Sequence, residues 1–188
     1  MKTALLSSYK KNDSLVRLAK LLQAHQWDLL GSAGTVKYLS ENGIPCRDVA
    51  DIVGPPILGH RVVTLSRELH AALLSTDADA EELALLNVPR IDLVYVTLYP
   101  LTEAIESGAS PAEVIEKTDI GGPTLLRSAA KGGRLALSHS AQIDALEAWL
   151  TEGATESSRG QLVIRLRAEA ERRVANYVAA SADYWDSK

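Results

Sequence analysis

The 188-residue sequence has no phenylalanine, one methionine and one cysteine, and these scarcities exclude several classes of protein. A single thiol, Cys46, allows neither an internal disulfide nor a cysteine metal cage, which suits a reducing compartment. The N-terminal apolar run, residues 4–6, is too short for the core of a signal peptide. No stretch approaches the roughly 20 apolar residues of a membrane helix. We therefore expect a cytoplasmic protein that does not contact a membrane.

Positive charge is also scarce, because the formal net charge is −4. That balance argues against a nucleic-acid partner, which requires a basic surface, but it allows a small anion held by a few local cations. The four histidines show no ligand spacing, so we expect no metal, and no motif indicates a bound cofactor. The length fits one domain over residues 1–188, with a core of leucine, valine, isoleucine and alanine.

Short apolar runs alternate with amphipathic segments along the chain, which is typical of α/β folds. Residues 91–98 are β-branched and almost continuously apolar, which indicates a strand buried on both faces of a parallel sheet. We predict a three-layer α/β fold in which helices flank a mostly parallel sheet. The predicted strands are 3–8, 27–30, 47–49, 91–98 and 134–138; the predicted helices are 14–26, 35–43, 66–74, 79–86, 121–131, 141–150 and 162–185, with a further helix start at 110–113, a loop at 54–59 and a linker at 152–160.

Two strand-to-helix turns are candidate binding elements. The turn Ser32-Ala33-Gly34-Thr35 opens a helix whose free N–H groups could hold a phosphate, although serine and threonine also cap helices without a ligand. In residues 118–131, Asp119 precedes two glycines and a helix that ends at Lys131. These charges could simply complement the helix dipole, but adjacent glycines favour close approach of a ligand to the backbone.

Two further side chains are candidates because of their positions. Tyr99 follows the most apolar strand, and ligands of open α/β sheets bind at the carboxyl ends of strands. Arg61 follows a proline-rich loop and could pair with a phosphate, or it could be a solvated surface arginine. These positions alone do not decide between a ligand-binding role and a structural one.

Taken together, four segments resemble the IMP cyclohydrolase domain of the bifunctional purine biosynthesis protein, which also carries a formyltransferase. Residues 119–131 (DIGGPTLLRSAAK) look almost unchanged from the signature of that family, and Leu98-Tyr99-Pro100 resembles its Asn-Leu-Tyr-Pro motif. Residues 32–35 and 61–65 (RVVTL) resemble its Ser-Gly-Gly-Thr and Arg-Val-Lys-Thr-Leu motifs. The resemblance extends over residues 3–185, with no formyltransferase half.

The resemblance implies a methylglyoxal-synthase-like fold and a ring closure, in which 5-formamidoimidazole-4-carboxamide ribonucleotide loses water to give IMP. It implies that Asp119 orients the carboxamide, Lys131 steadies the formyl oxygen and Tyr99 donates or relays a proton. It also implies a homodimer and a separate formyltransferase as partners. The ribonucleotide would be held by Lys10, Ser32, Gly34, Thr35, Arg61, Thr64, Ile120 and Gly121.

The chain departs from the family pattern around the expected ribonucleotide. Val63 replaces a lysine that would lie beside the tyrosine, Thr97 replaces an asparagine, and the loop at 8–14 carries Lys10 and Lys11 at shifted positions. Two alternatives therefore stay open: ring closure on a related heterocyclic carboxamide nucleotide, and a regulatory domain that binds purine nucleotides without turnover. Methylglyoxal synthase is disfavoured, because Ser8-Tyr9 replaces its His-Asp pair.

Overall fold

A five-stranded sheet forms the centre of the protein in the computed structural model, which describes residues 2–59 and 61–188. All neighbouring strands are parallel and lie in the order β3-β2-β1-β4-β5, so the predicted three-layer α/β class is confirmed. The strands are β1 (Thr3–Ser8), β2 (Asp28–Gly31), β3 (Arg47–Asp48), β4 (Leu93–Thr97) and β5 (Leu135–Leu137).

Ten α-helices in the described part of the chain connect and cover these strands. None of the helices there is long and apolar enough to cross a membrane. They are α1 (Asp13–Ala24), α2 (Ala33–Glu41), α3 (Ala50–Val53), α4 (Arg67–Leu74), α5 (Ala80–Leu85), α6 (Leu101–Glu106), α7 (Pro111–Glu116), α8 (Gly121–Lys131), α9 (Ile143–Thr151) and α10 (Glu156–Asp186).

Two hydrophobic cores fill the layers on either side of the sheet. One core joins the sheet to α1, α2 and α9, and the other joins it to α4 and α8. The long helix α10 contributes to both, through Leu162 and Leu166 near its start and Val174 and Tyr177 further along. With strands buried on both faces, β1 and β4 are almost wholly inaccessible to water, as the apolar run at 91–98 predicts.

Local signals explain most helix starts, and the structure differs from prediction in three places. Ser110 and Glu113 form the reciprocal capping box that the sequence indicates. The short helices α3 and α6 were not predicted, because neither has enough turns for a periodic apolar pattern to show. The linker predicted at 152–160 is wrong in its second half, since α10 begins at Glu156, capped by Thr155.

The C-terminal end of α4 is held by an arginine buried to 99% that comes from the start of β5. Arg134 donates through Nε to the Leu73 carbonyl at 2.8 Å and through its guanidinium to Ser75 Oγ at 3.1 Å. Carbonyl groups at a helix C-terminus carry partial negative charge, so they pair favourably with the buried cation. Gly132, two residues earlier, allows this approach, since a Cβ there would lie 1.9 Å from the Leu73 carbonyl oxygen.

We therefore predict that Gly132→Ala destabilises the fold by about 3 kcal/mol, because the added methyl group overlaps backbone rather than a movable side chain. Gly160→Ala is the matched control: Gly160 lies inside α10 with nothing within 4 Å of an added Cβ. There alanine should stabilise the protein by about 0.5–1 kcal/mol. Urea unfolding of both variants measures the difference, and similar midpoints would contradict the close approach at Gly132.

Candidate active site

A cavity of about 560 Å³ opens at the carboxyl edge of the sheet. Its floor is formed by the residues that end β1 and β4, and its walls by the first turns of α2 and α8. Residues of the 56–64 segment and of α7 close its remaining side. The cavity therefore lies where parallel sheets of this kind bind ligands.

The floor is a network of hydroxyl groups in which every proton has an acceptor. Ser8 and Thr97 are register partners on neighbouring strands, and their side-chain oxygens lie 2.8 Å apart. Ser8 Oγ donates to the Lys10 carbonyl at 2.7 Å, so Thr97 donates to Ser8. Thr97 Oγ1 in turn accepts the Lys10 backbone N–H at 3.1 Å. These bonds fix the backbone of the loop that follows β1.

The predicted phosphate turn reaches the cavity through Ser32 and Gly34 but not through Thr35. Ser32 and Gly34 line the cavity, and α2 begins directly behind them. Thr35 is fully buried: its hydroxyl accepts the Ser8 N–H at 3.1 Å and pairs with Ser32 Oγ at 3.1 Å. The placement of Thr35 as a ligand-contacting residue is therefore corrected, because its hydroxyl joins α2 to β1.

Lys11, rather than Lys10, brings a positive charge to this turn. Lys11 lines the cavity, its ammonium donates to the Ser8 carbonyl, and a Cβ at Gly34 would lie 3.8 Å from Nζ. Partial burial lowers the pKa of Lys11 below its ordinary value. The expectation for Lys10 is corrected, because the backbone bond to Thr97 fixes residue 10 and the chain then turns so that residue 11 faces α2.

Asp119 lies on the cavity wall, directly before α8. Its carboxylate accepts the backbone N–H of Gly122 at 2.9 Å, and the backbone N–H of Tyr99 also acts on it. Burial raises the pKa of Asp119 above its ordinary value, although both N–H groups act to lower it. Gly122 must be glycine, since a Cβ would lie 2.4 Å from Asp119 Oδ2.

Tyr99 lies beside Asp119 on the cavity wall, with 37% of its surface exposed. Burial raises the pKa of its phenol above the ordinary value, and the negative charge of Asp119 raises it further. Its ring packs on Tyr9, with ring centroids 5.2 Å apart, and the Lys117 ammonium lies 5.9 Å from the Tyr9 centroid. Tyr99 is therefore a protonated hydrogen-bond donor at neutral pH.

The segment after the proline-rich loop contributes three residues to the cavity, namely Arg61, Val63 and Thr64. The Arg61 guanidinium lies 3.5 Å from the Glu116 carboxylate, and both side chains are largely exposed. Thr64 packs against Gly121, where a Cβ would lie 2.5 Å from the threonine hydroxyl. Exposed pairs such as Arg61–Glu116 are weak, so an anionic ligand can compete for this arginine.

Lys131 does not line this cavity, although it shares a neighbouring groove with Asp119. It lines a groove of about 650 Å³ between α8 and α10, together with Arg127 and Val178. Only the segment 118–120, which lines both, separates this groove from the cavity. The expected convergence of Tyr99, Asp119 and Lys131 on one pocket is thus corrected for a single chain: two of the three converge.

Sequence reasoning missed several residues of the cavity. Tyr9 directly follows β1, so its position at the carboxyl edge was a usable signal, whereas nothing in the pattern indicated Glu116. The described residues contain no cluster of side chains that could hold a metal ion, and His60 lies outside them. The arrangement can bind an anion near α2 and present a carboxylate and a phenol to the other end of the same ligand.

The fold and this cavity define a class of α/β domains with a pocket at the carboxyl ends of parallel strands. Residues 14–124 match the MGS-like domain, and the chain belongs to that family. The crystal structure of ForH superposes with a TM-score of 0.82, at 30% identity over 98% of both chains. The methylglyoxal-synthase-like fold expected from the sequence is therefore confirmed.

Relatives of known name are bifunctional purine biosynthesis proteins. The chain is 39% identical to PurH of Deinococcus radiodurans over 97% of its length and 35% of the relative. It is 38% identical to PurH of Oenococcus oeni over 98% of its length and 37% of the relative. The chain thus spans about a third of the length of these two curated relatives. The family identified from its motifs is confirmed.

The raised pKa of Asp119 predicts a conflict between stability and function. When the pKa of an acid is higher in the folded state than in the unfolded state, ionisation of that acid lowers the free energy of unfolding. The loss is complete above the folded-state pKa and absent below the ordinary pKa, which is about 4. Asp119→Asn keeps an oxygen acceptor without the charge. The variant should therefore melt at a higher temperature than the wild type at pH 7, with the difference disappearing towards pH 3.

Thermal unfolding across that pH range measures this effect, with the exposed Asp183→Asn as the control for a change of surface charge. A lower melting temperature for Asp119→Asn at pH 7 would show that the hydrogen bond from Gly122 and the influence of the Tyr99 N–H outweigh the burial of the carboxylate.

Proposed function

We propose that this chain is an IMP cyclohydrolase, which closes the second ring of 5-formamidoimidazole-4-carboxamide ribonucleotide to give IMP and water. The observation that carries the proposal is the pair of Asp119 and Tyr99 in one cavity with the start of α2, in a chain 39% identical to a bifunctional purine biosynthesis protein over 97% of its length. The formamido group of the substrate has to come from a formyl-transfer reaction, which we assign to a separate formyltransferase.

The reaction needs orientation and movement of protons more than a strong catalyst. The carboxamide nitrogen attacks the formyl carbon of the same molecule, a C–N bond forms, and the formyl oxygen leaves as water after taking up two protons. Because both reacting groups belong to one substrate, holding them in contact lowers much of the barrier. The remaining tasks are to remove protons from nitrogen and to protonate oxygen.

Asp119 is the group assigned to the carboxamide. Its carboxylate accepts the Gly122 N–H at 2.9 Å, so its remaining lone pairs have a defined direction in the cavity. A carboxylate that accepts the amide N–H increases the nucleophilicity of that nitrogen, and partial burial makes it more basic.

Tyr99 is assigned to the formyl oxygen. Its raised pKa keeps the proton on the phenol, so it can donate a hydrogen bond as negative charge develops on that oxygen. Full proton transfer from such a weak acid is less favourable. Val63 stands where the family has a lysine that would favour it, which makes slow turnover the expectation for this chain.

The phosphate end of the substrate is assigned to the first turn of α2. Ser32, Gly34 and Lys11 line the cavity there, and Arg61 lies on the same cavity wall as Thr64. A helix N-terminus and an ammonium group both favour a phosphate. The backbone of Ile120 and Gly121, where α8 begins, is left for the heterocycle.

Ring closure on a different heterocyclic carboxamide nucleotide is a second candidate. It is favoured by the cavity residues that depart from the family pattern, since Val63, Thr97 and Tyr9 all line the cavity while Asp119 and Tyr99 are kept. These differences surround the expected ribonucleotide without removing the chemical groups. A changed heterocycle would account for that combination.

The direct test is to incubate the protein with the formylated ribonucleotide and follow IMP formation by absorbance. We expect turnover that falls at least about 100-fold in Asp119→Ala and in Tyr99→Phe, as removal of a proton-transfer group predicts. Lys131→Ala is the informative third variant, and we expect it to keep its rate within threefold because Lys131 lies in the separate groove.

Other outcomes select among the remaining hypotheses. Tight binding of IMP without turnover would contradict the enzyme and favour a regulatory domain. Turnover of another carboxamide heterocycle alone would favour the second candidate. A large loss in Lys131→Ala would mean that this lysine reaches the substrate after all, for instance from a second copy of the chain in a homodimer.

The two neighbouring lysines give a sharper test of how the phosphate is held. Lys11→Met should weaken binding of the ribonucleotide by about tenfold or more, since a charge-assisted hydrogen bond is lost. Lys10→Met removes the same charge one residue away and should change affinity less than twofold. Calorimetric titration at two salt concentrations measures both, and equal losses would indicate attraction by net charge rather than contact by Lys11.

A further inference from the structure

We infer that Tyr177, on the C-terminal helix α10, is a positioning residue that holds Asp119 at the cavity through the backbone. The inference rests on the proposed role of Asp119 and extends it to a side chain that does not line the cavity. Because Tyr177 does not line the cavity proposed for the substrate, we expect any effect on the reaction to pass through the segment that it binds.

One hydroxyl group makes both contacts. Tyr177 Oη accepts the backbone N–H of Asp119 at 2.7 Å and donates to the Lys117 carbonyl at 3.0 Å. Burial raises the pKa of this phenol to about 12, so its proton stays in place at neutral pH. The phenol therefore bridges the turn between α7 and α8, and α10 supplies the hydrogen bonds that this turn does not make itself.

The bridged turn is a thin wall that needs such support. Residues 118–120 separate the cavity from the groove beside α10 and line both, and none of the three belongs to either hydrophobic core. The carboxylate of Asp119 is held at its outer end by the N–H of Gly122. The bond to Tyr177 fixes its backbone end, and both ends are needed to define where the free lone pairs point.

Helix α10 also provides a matched control. Tyr184 lies two turns later with the same 8% exposure and belongs to the same hydrophobic core, but its hydroxyl has no hydrogen-bond partner. Removing the oxygen from either tyrosine leaves its ring packed. The two phenylalanine variants therefore differ in the hydrogen bonds to residues 117 and 119, and little else.

The test compares Tyr177→Phe with Tyr184→Phe and the wild type in two measurements. The first is steady-state turnover of the formylated ribonucleotide, for which we expect Tyr177→Phe to lower kcat about tenfold and to change KM less than threefold. The second is the titration of the Asp119 carboxyl carbon by NMR. Burial and the charge of Asp119 both raise the pKa of two neighbouring phenols, Tyr99 and Tyr177. Both phenols therefore stay neutral in the pH range where a carboxyl group titrates.

In the titration, loosening of the wall admits water to Asp119, so its pKa should fall towards the ordinary value in Tyr177→Phe and stay unchanged in Tyr184→Phe. Equal effects of the two variants, or an unshifted carboxyl titration in Tyr177→Phe, would overturn the inference. A wild type without turnover would overturn the proposed function instead, and the carboxyl titration would then decide the positioning role alone.

Discussion

The carboxylate of Asp119 is the tie on which the geometry of the cavity depends. It accepts the N–H of Gly122 in the first turn of α8, and the backbone N–H of Asp119 itself is bound by Tyr177 of α10. The same group is the best candidate for the chemistry, so the position of the reacting carboxylate follows from the fold. The cost is a partly buried charge, and Gly122 is the companion residue that makes room for it.

The parallel sheet supplies the rest of the arrangement by register. Ser8 and Thr97 end adjacent strands at the same level, so their hydroxyls meet without help from a loop. Thr35 extends this network to α2 by accepting the Ser8 N–H. Since the polar groups of the floor satisfy one another, the charges available to a ligand lie around it, among them Lys11, Arg61 and Asp119.

Buried helices and strands could be predicted from hydrophobic periodicity, whereas the positions of side chains that depend on the path of the backbone could not. The apolar run at 91–98 and the spacing of Leu15 and Leu22 specify buried elements, and both are buried. Lys11 could not be separated from Lys10, because that choice depends on the hydroxyl network that turns the chain after β1. Lys131 belongs to one continuous motif with Asp119, yet about 1.5 Å of rise per helical residue carries it some 15 Å along α8.

The C-terminal helix then acquires a role beyond covering the sheet. The MGS-like match ends at residue 124, so α10 lies outside it, whereas the likeness to PurH of Deinococcus radiodurans extends over nearly the whole chain. The matched residues therefore include Thr97 of the floor and Asp119, whereas the phenol of Tyr177 that holds the backbone of that aspartate comes from α10, outside the match. Because a carboxylate can orient a carboxamide only from a fixed position, a change in α10 can alter the reaction without altering any residue that the substrate touches.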